Sequence, residues 1–122
     1  MRFCGPRYGC RWNKKRIRIV YTAESRALAP LEMPVQDEPL RARYVLIPAE
    51  TPSGLTVETI DLNDLPENWR EPKGSDALKE IGSKWARDQK SAVMIVPSVI
   101  IPEERNYLLN PLHADFKEIQ SR

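Results

Sequence analysis

The sequence contains few of the side chains that build disulfide frameworks or metal centres. Its 122 residues include two cysteines, Cys4 and Cys10, and one histidine, His113. A structural zinc site takes about four ligands of these kinds, and a disulfide scaffold needs several cysteine pairs. We therefore expect two reduced thiols near the N-terminus and no metal centre.

Long hydrophobic runs are also lacking. No apolar stretch approaches the roughly 20 residues that a membrane span needs, and the chain does not open with the pattern of a secretory signal. Hydrophobic residues make up 41% of the chain and charged residues 30%, a balance typical of globular proteins. A length of 122 residues suits one domain with one core. The sequence thus predicts a soluble, cytoplasmic, single-domain protein without membrane contacts.

Residues 1–23 contain no aspartate or glutamate, and Glu24 is the first acidic residue of the chain. The basic residues that precede it are Arg2, Arg7, Arg11, Lys14, Lys15, Arg16 and Arg18. Nucleic acid is the usual partner of a basic run. No recognised nucleic-acid-binding fold accompanies this one, so a solvated surface or a site for a nucleotide pyrophosphate explains it at least as well. Direct nucleic-acid binding is the weaker alternative.

The hydrophobic pattern of residues 16–22 predicts a half-buried strand. Apolar and basic residues alternate there, which places Tyr21 on the inward face. The strand runs into a segment in which Ser25 can cap a short helix that leads to Glu32. Pro30 interrupts this helix, because proline removes a backbone hydrogen bond and clashes with the preceding turn. We expect the helix to kink or end at that position.

Residues 43–48 and 55–60 have strand composition and are expected to pair as a hairpin. After a loop with one helical turn, a helix is predicted from Asp76 to about Gln89. Its apolar face has three- and four-residue spacing and consists of Leu78, Ile81 and Trp85. Large aromatic side chains dominate cores of this size, so we expect structural roles for all three tryptophans, Trp12, Trp69 and Trp85.

Residues 92–101 are apolar almost throughout and rich in β-branched side chains, which favours a central strand. Pro97 should bend or end this strand and place Ser98 at the bend. In the following segment, Asn106 and Asn110 both have turn chemistry. The apolar residues between them indicate a closing strand or loop that packs against the core.

Four separated motifs then occur in an order that resembles the RES-domain family. They are Gly9-Cys10-Arg11-Trp12-Asn13, Val20-Tyr21-Thr22-Ala23-Glu24-Ser25, Leu31-Glu32, and Val96-Pro97-Ser98 followed by Asn106-Tyr107-Leu108-Leu109-Asn110-Pro111. The family is named after an arginine, a glutamate and a serine, which fall on Arg11, Glu32 and Ser98. No single motif is specific, but their joint order and spacing argue against coincidence.

The resemblance implies a fold and an activity. The expected fold is α+β: a compact single RES domain of residues 1–122, with ADP-ribosyltransferase-like split antiparallel sheets and flanking helices. The expected activity is that of a toxin that breaks the nicotinamide–ribose bond of NAD by phosphorolysis, hydrolysis or ADP-ribosyl transfer. NAD is then a substrate and no cofactor is implied, while phosphate is a candidate co-substrate. A cognate Xre-type antitoxin is the expected protein partner. The oligomeric state is left undetermined, with a homodimer as one alternative.

Glu32 and Arg11 receive the central roles. Breaking this bond builds positive charge on the ribose, which a fixed carboxylate stabilises, and Glu32 is the candidate. A guanidinium matches phosphate oxygens with paired donors, so Arg11 is assigned to the NAD pyrophosphate. Judged from the residues alone, Glu32 is more simply a solvated helix residue and Arg11 a member of the basic run.

Tyr21 and Ser98 complete the predicted site. Tyr21 can pack on the nicotinamide ring or orient the ribose through its hydroxyl, and core packing is the competing interpretation. Ser98 can position a substrate hydroxyl or Glu32 itself, or it can simply stabilise the strand bend. A Ser-His-Asp nucleophile has no support, because no recognisable motif surrounds His113.

The chain departs from the family pattern at two places. Family members carry a further N-terminal segment with a first strand, whereas Met1 stands ten residues before Arg11. The domain is therefore predicted to be N-terminally incomplete. Pro30 also stands where the family has a helix-compatible residue. Two hypotheses follow: an active NAD-cleaving toxin, or an inactive remnant that retains only partner binding.

Overall fold

Most of the described strands belong to one sheet. The computed structural model describes residues 2–3, 11–14, 16–28, 48–71 and 76–121. The elements along the chain are β1 (Arg2–Phe3), β2 (Val20–Ala23), β3 (Ala49–Glu50), β4 (Val57–Thr59), α1 (Asp76–Asp88), β5 (Val93–Pro97), β6 (Arg105–Leu109) and β7 (Gln120–Ser121). Five strands pair in the order β1-β2-β6-β5-β4, and β3 pairs with β7. A mixed sheet with a helix confirms the predicted α+β class.

The central strands β2, β6 and β5 are antiparallel neighbours. One cross-strand row consists of Tyr21, Leu108 and Met94. Two residues further along the strands, the corresponding row consists of Ala23, Asn106 and Val96. Side chains two residues apart on a strand project from the same face, so the two rows share one face of the sheet.

One strand pair is parallel. β4 lies beside β5 with Glu58 opposite Met94, and α1 lies between the two strands in the chain. A parallel pair needs such a crossover connection. The partner of β4 among the described residues is therefore β5. The hairpin predicted for residues 43–48 and 55–60 stays a prediction. Residues 43–47 lie outside the described residues.

Different hydrophobic clusters pack on the two faces of the sheet. On the face that carries Leu108, α1 packs with its predicted residues: Leu78 and Trp85 are buried and Ile81 is partly buried. The buried members of this cluster are Trp12, Ile19, Trp69, Leu78, Trp85, Ala86, Met94, Val96 and Leu108. All three tryptophans therefore have the structural roles that were predicted. The opposite face has a smaller cluster built on Val20, Ala92, Val93 and Leu109.

The strand predicted for residues 16–22 begins later, at Val20. Arg16 has a φ of 68°, in the left-handed region, where an extended strand cannot run. The inward face was nevertheless predicted correctly, because Ile17, Ile19 and Tyr21 all belong to or pack against the cluster under α1.

Within the described residues, the other predicted elements are confirmed with small changes at their ends. The helical turn in the 62–69 loop is a 3-10 turn, Leu62–Asp64, and Trp69 anchors this loop in the core. Pro97 ends β5, so that Ser98 follows the strand. Within the described part of the chain, no helix has the length and apolar character needed to cross a membrane.

Candidate functional site

The segment that carries Arg11 lies directly against α1. A Cβ atom added at Gly82 would stand 1.8 Å from the carbonyl oxygen of Trp12, so the two backbones can meet only because residue 82 is glycine. The Lys14 backbone N–H donates to Ser83 Oγ at 3.0 Å. The Lys14 ammonium also forms an ion pair with Glu80 on the same helix. Helix α1 thus determines where residues 11–14 lie.

Arg11 is anchored from its other side by the loop that follows β4. Its Nη1 donates to the carbonyl oxygens of Trp69, at 3.1 Å, and Glu71, at 2.9 Å. These bonds join residues 58 and 60 positions apart in the chain. Because Trp69 is itself held in the core, the guanidinium is fixed relative to the rest of the domain.

Tyr21 reaches the same segment from the sheet. Its hydroxyl donates to Asn13 Oδ1 and accepts the Trp12 backbone N–H at 3.3 Å. Asn13 is buried, and its Nδ2 donates to the Ile17 carbonyl at 2.7 Å. A phenol has a single proton to donate, and here that proton goes to Asn13. The ring of Tyr21 packs against the core cluster under α1, which is the competing role that the sequence left open, and its two predicted ligand roles stay predictions.

Ser98 is fully buried at the turn between β5 and β6. Its Oγ accepts the backbone N–H groups of Ile100 and Ile101, each at 3.1 Å, and its own N–H donates to the Glu104 carbonyl at 3.0 Å. The predicted stabilisation of the strand bend is thus what the contacts show.

The loop that anchors Arg11 also contacts the turn after Ser98. Arg70 donates through Nε to the Val99 carbonyl at 2.9 Å and through Nη2 to the Ile100 carbonyl at 3.5 Å. Residues 69–71 therefore connect the Arg11 segment to the Ser98 turn, although Arg11 and Ser98 lie far apart in the sequence. The sequence offered no signal for this link, because it consists of backbone carbonyls in an irregular loop.

The chain that leads toward Glu32 starts beside the Ser98 turn. Ser25 Oγ accepts the Leu28 N–H at 3.0 Å, as predicted for a helix cap, and donates to Glu104 at 2.9 Å. Glu24 accepts the Arg105 N–H at 2.6 Å. Leu28 is buried and is the last described residue of this segment. Glu32 and Pro30 lie outside the described residues, so the predicted carboxylate has no geometry here.

Asn106 is a residue of this region that the sequence interpretation missed. The turn predicted for it is wrong: Asn106 lies inside β6, opposite Ala23 and Val96. It is 8% exposed, and its Oδ1 is buried without a hydrogen-bond partner among the described residues. Leaving such an acceptor unpaired costs about 1–3 kcal/mol. An asparagine two residues before the apolar Leu108, and therefore on the same strand face, was the available signal.

Asn110 behaves differently from Asn106. Its Nδ2 donates to the Ala86 carbonyl at 3.0 Å and its Oδ1 accepts the Leu112 N–H at 3.1 Å. Its predicted turn chemistry is therefore confirmed. The lone histidine also has a local role, because His113 Nδ1 accepts the Asp115 N–H at 2.9 Å at the start of a 3-10 turn.

Charges near the site are arranged around α1. Glu80 bridges Lys14 and Arg87, the latter at 3.2 Å. The hydrogen bond and charge of Lys14, with a smaller effect of Arg87, lower the pKa of Glu80 from its ordinary value of 4.5. In the described ranges, no group of three His, Cys, Asp or Glu side chains lies close enough to hold a metal ion. Cys4 and Cys10 lie outside those ranges.

Comparison with known proteins identifies the family to which the chain is similar. A sequence model described as the RES domain matches residues 1–122. A protein from Sphingobium sp. (strain YBL2) named Prs ADP-ribosylating toxin is 42% identical over 119 residues, which are 93% of this chain and 73% of that protein. Two proteins named Toxin Res are also similar. The one from Photorhabdus laumondii subsp. laumondii is 37% identical over 89% of this chain and 70% of its own length. The one from Yersinia enterocolitica is 34% identical over 90% of this chain and 73% of its own length.

Proposed function

This chain belongs to the RES-domain family, and we propose that it is a toxin enzyme that cleaves the nicotinamide–ribose bond of NAD. One structural observation carries the proposal. Arg11 and Tyr21, which the family motifs assign to NAD, meet at Trp12, and the loop of residues 69–71 links them to the turn that carries Ser98. Residues from three separate parts of the sequence, 11–21, 69–71 and 98–100, are thereby held in one region.

The proposed reaction needs charge stabilisation more than it needs a nucleophile on the protein. The bond from ribose C1′ to the nicotinamide nitrogen breaks, and its electron pair neutralises the positive ring. The positive charge that develops on the ribose is stabilised by a carboxylate, the role we propose for Glu32. An acceptor oxygen then bonds to C1′ and gives its proton to solvent or to a base.

Arg11 and Tyr21 are proposed to bind the two ends of the nicotinamide nucleotide. The Arg11 guanidinium, which is oriented by the Trp69 and Glu71 carbonyls, holds the pyrophosphate. Tyr21 supplies a ring on which the nicotinamide packs, since its hydroxyl proton is used by Asn13. Ser98 positions Glu32 or a substrate hydroxyl from the end of β5.

We further propose ADP-ribosyl transfer as the reaction class, with phosphate and water as the alternative acceptors. Support comes from the Sphingobium relative, whose name states that it ADP-ribosylates Prs. The proposed control of this activity is a cognate Xre-type antitoxin that blocks the site, and the proposed place of action is the cytoplasm. Phosphate, water and a protein acceptor give different products, so product analysis separates them.

The activity is tested by incubating the purified protein with NAD and measuring nicotinamide release in three samples: without an added acceptor, with phosphate, and with Prs, the protein named as the target of the Sphingobium relative. Glu32→Gln keeps the size of the side chain and removes its charge, and the exposed Glu118→Gln is its matched control. We expect Glu118→Gln to keep the activity and Glu32→Gln to lose about 100- to 1,000-fold in rate. Circular dichroism confirms that each variant is folded. No release from folded wild-type protein would instead support the inactive, partner-binding remnant.

The basic run of the sequence offers little support for nucleic-acid binding. Lys14, a member of this run, forms an ion pair with Glu80 on α1. Its charge is therefore partly neutralised within the domain. We therefore keep NAD, and not a nucleic acid, as the proposed anionic ligand.

A further inference from the structure

The side-chain oxygen of Asn106, Oδ1, has no hydrogen-bond partner among the described residues. Its Oδ1 is buried, and the residue as a whole is 8% exposed. Its neighbours in the same cross-strand row are Ala23 and Val96, whose side chains have no polar atoms. Because buried polar groups in folded proteins nearly always have partners, the unpaired oxygen points to a ligand that brings a donor.

The position of Asn106 relates it to the proposed NAD site. Asn106 and Leu108 are two residues apart on β6 and therefore share a face, and Leu108 is opposite Tyr21. On the other side, Val96 is opposite Asn106, and Ser98 follows Val96 by two residues. Along the strands, Asn106 thus lies between the rows of Tyr21 and Ser98, about 7 Å from the Tyr21 row.

We propose that Asn106 binds the carboxamide of the nicotinamide ring, with its Oδ1 accepting a carboxamide N–H. This inference rests on the proposed NAD cleavage. The carboxamide is the polar group at the ring end of NAD, and Tyr21, on the same sheet face, is the residue proposed to pack on that ring. A side-chain amide oxygen is a hydrogen-bond acceptor with two lone pairs, so Oδ1 can accept an N–H of the carboxamide.

The test compares NAD with 3-acetylpyridine adenine dinucleotide, in which a methyl group replaces the amide nitrogen. Each is cleaved by wild-type protein and by Asn106→Leu, and the ratio of the two kcat/KM values is taken for each protein. The intrinsic difference in leaving-group reactivity is common to both proteins and cancels in the double ratio. We expect the preference of the wild type for NAD to fall about ten- to a hundredfold in Asn106→Leu.

Two further variants guard against a purely structural explanation. Asn106→Asp keeps an acceptor oxygen in a side chain of the same shape, and it should retain the preference for NAD. Asn63→Leu makes the same substitution at an exposed asparagine and should leave the double ratio unchanged. Calorimetric titration with both dinucleotides measures the same preference as a ratio of Kd values if Asn106→Leu turns over too slowly for kinetics.

The outcomes separate this inference from the proposed function. If wild-type protein neither binds nor cleaves NAD, both fail. If it cleaves NAD but Asn106→Leu keeps the full preference for NAD, the reaction stands and the assignment of Asn106 is overturned. The assignment is also overturned if Asn106→Leu binds both dinucleotides more weakly by an equal factor, since Asn106 would then serve a donor other than the carboxamide.

Discussion

Arg11 combines two tasks that a lysine could not perform together. Its guanidinium carries five N–H donors in a planar fork, and Nη1 already donates to the carbonyls of Trp69 and Glu71. A lysine has one nitrogen, which cannot reach these carbonyls and a pyrophosphate in the same geometry. The planar shape of the Arg11 side chain, and not its positive charge alone, therefore determines which groups it can bind.

The first prediction is that Arg11→Lys weakens NAD use and slightly destabilises the fold. We expect kcat/KM for NAD to fall about ten- to a hundredfold, mainly through KM, because the lost contacts bind the ground state as well as the transition state. The free energy of unfolding should fall by about 1 kcal/mol. Steady-state kinetics and urea denaturation measure the two effects. Arg26→Lys, at an exposed position, is the control and should change neither; an unchanged KM in Arg11→Lys would exclude Arg11 as a phosphate ligand.

At the residue scale, sequence reasoning was strongest for packing and weakest for hydrogen bonding. The structural roles of Trp12, Trp69 and Trp85 follow from their size and are confirmed. The use of the Tyr21 hydroxyl by Asn13 could not be foreseen, because it depends on a turn that brings residue 13 back over the strand. Asn106 was misinterpreted for a related reason: asparagine favours turns in general, and only the register of β6 shows that this one is inside a strand.

At the element scale, the helix was predictable and its closest contact was not. The spacing of Leu78, Ile81 and Trp85 predicted α1 within one residue at its end, and these residues face the core. The parallel pairing of β4 with β5 is a non-local contact, which periodicity does not encode. Equally, a glycine inside a helix gives no hint of which backbone approaches it.

The prediction at this scale concerns Gly82. Replacing glycine with alanine inside a helix ordinarily stabilises a protein by about 0.5–1 kcal/mol. Gly82→Ala should do the opposite, because the new methyl group would overlap the Trp12 carbonyl oxygen, 1.8 Å away. Overpacking of this kind costs typically about 1–3 kcal/mol. The 11–14 segment would have to move, so we expect loss of NAD cleavage together with a lower Tm.

Lys84→Ala provides the comparison for Gly82→Ala. It also adds an alanine to α1, at an exposed position, and should change the free energy of unfolding by less than about 0.5 kcal/mol. Nicotinamide release and thermal denaturation are measured on both variants. A stabilised, fully active Gly82→Ala protein would show that the contact between Trp12 and the helix does not determine the site.

At the scale of the whole molecule, the proposed site depends on contacts between segments that are distant in the chain. The Arg11 segment is held by α1, by the 69–71 loop and by β2. The family motifs include Arg11, Tyr21 and Ser98, but the motifs cannot give the loop contacts that join Arg11 to the Ser98 turn. Most of the elements could thus be predicted, whereas their assembly into a site could not.

The ion pair between Lys14 and Glu80, which joins the Arg11 segment to α1, makes the stability of the fold depend on pH. Lys14 and Arg87 lower the pKa of Glu80 below 4.5. Since the folded-state pKa lies below the unfolded one, the pair stabilises the fold above about pH 4.5, and this contribution is lost as the pH falls through the lowered pKa. Glu80→Gln should therefore have a lower Tm than wild type at pH 7, and the difference should shrink as the pH falls below 4.5 and passes the lowered pKa of Glu80. Both carboxylate and ammonium are exposed, so the difference in Tm should also decrease in about 1 M salt.

Thermal denaturation between pH 3 and pH 7 measures the effect of Glu80→Gln, with the exposed Glu67→Gln as control. A Tm difference that does not depend on pH would mean that Glu80 contributes through packing and not through its charge.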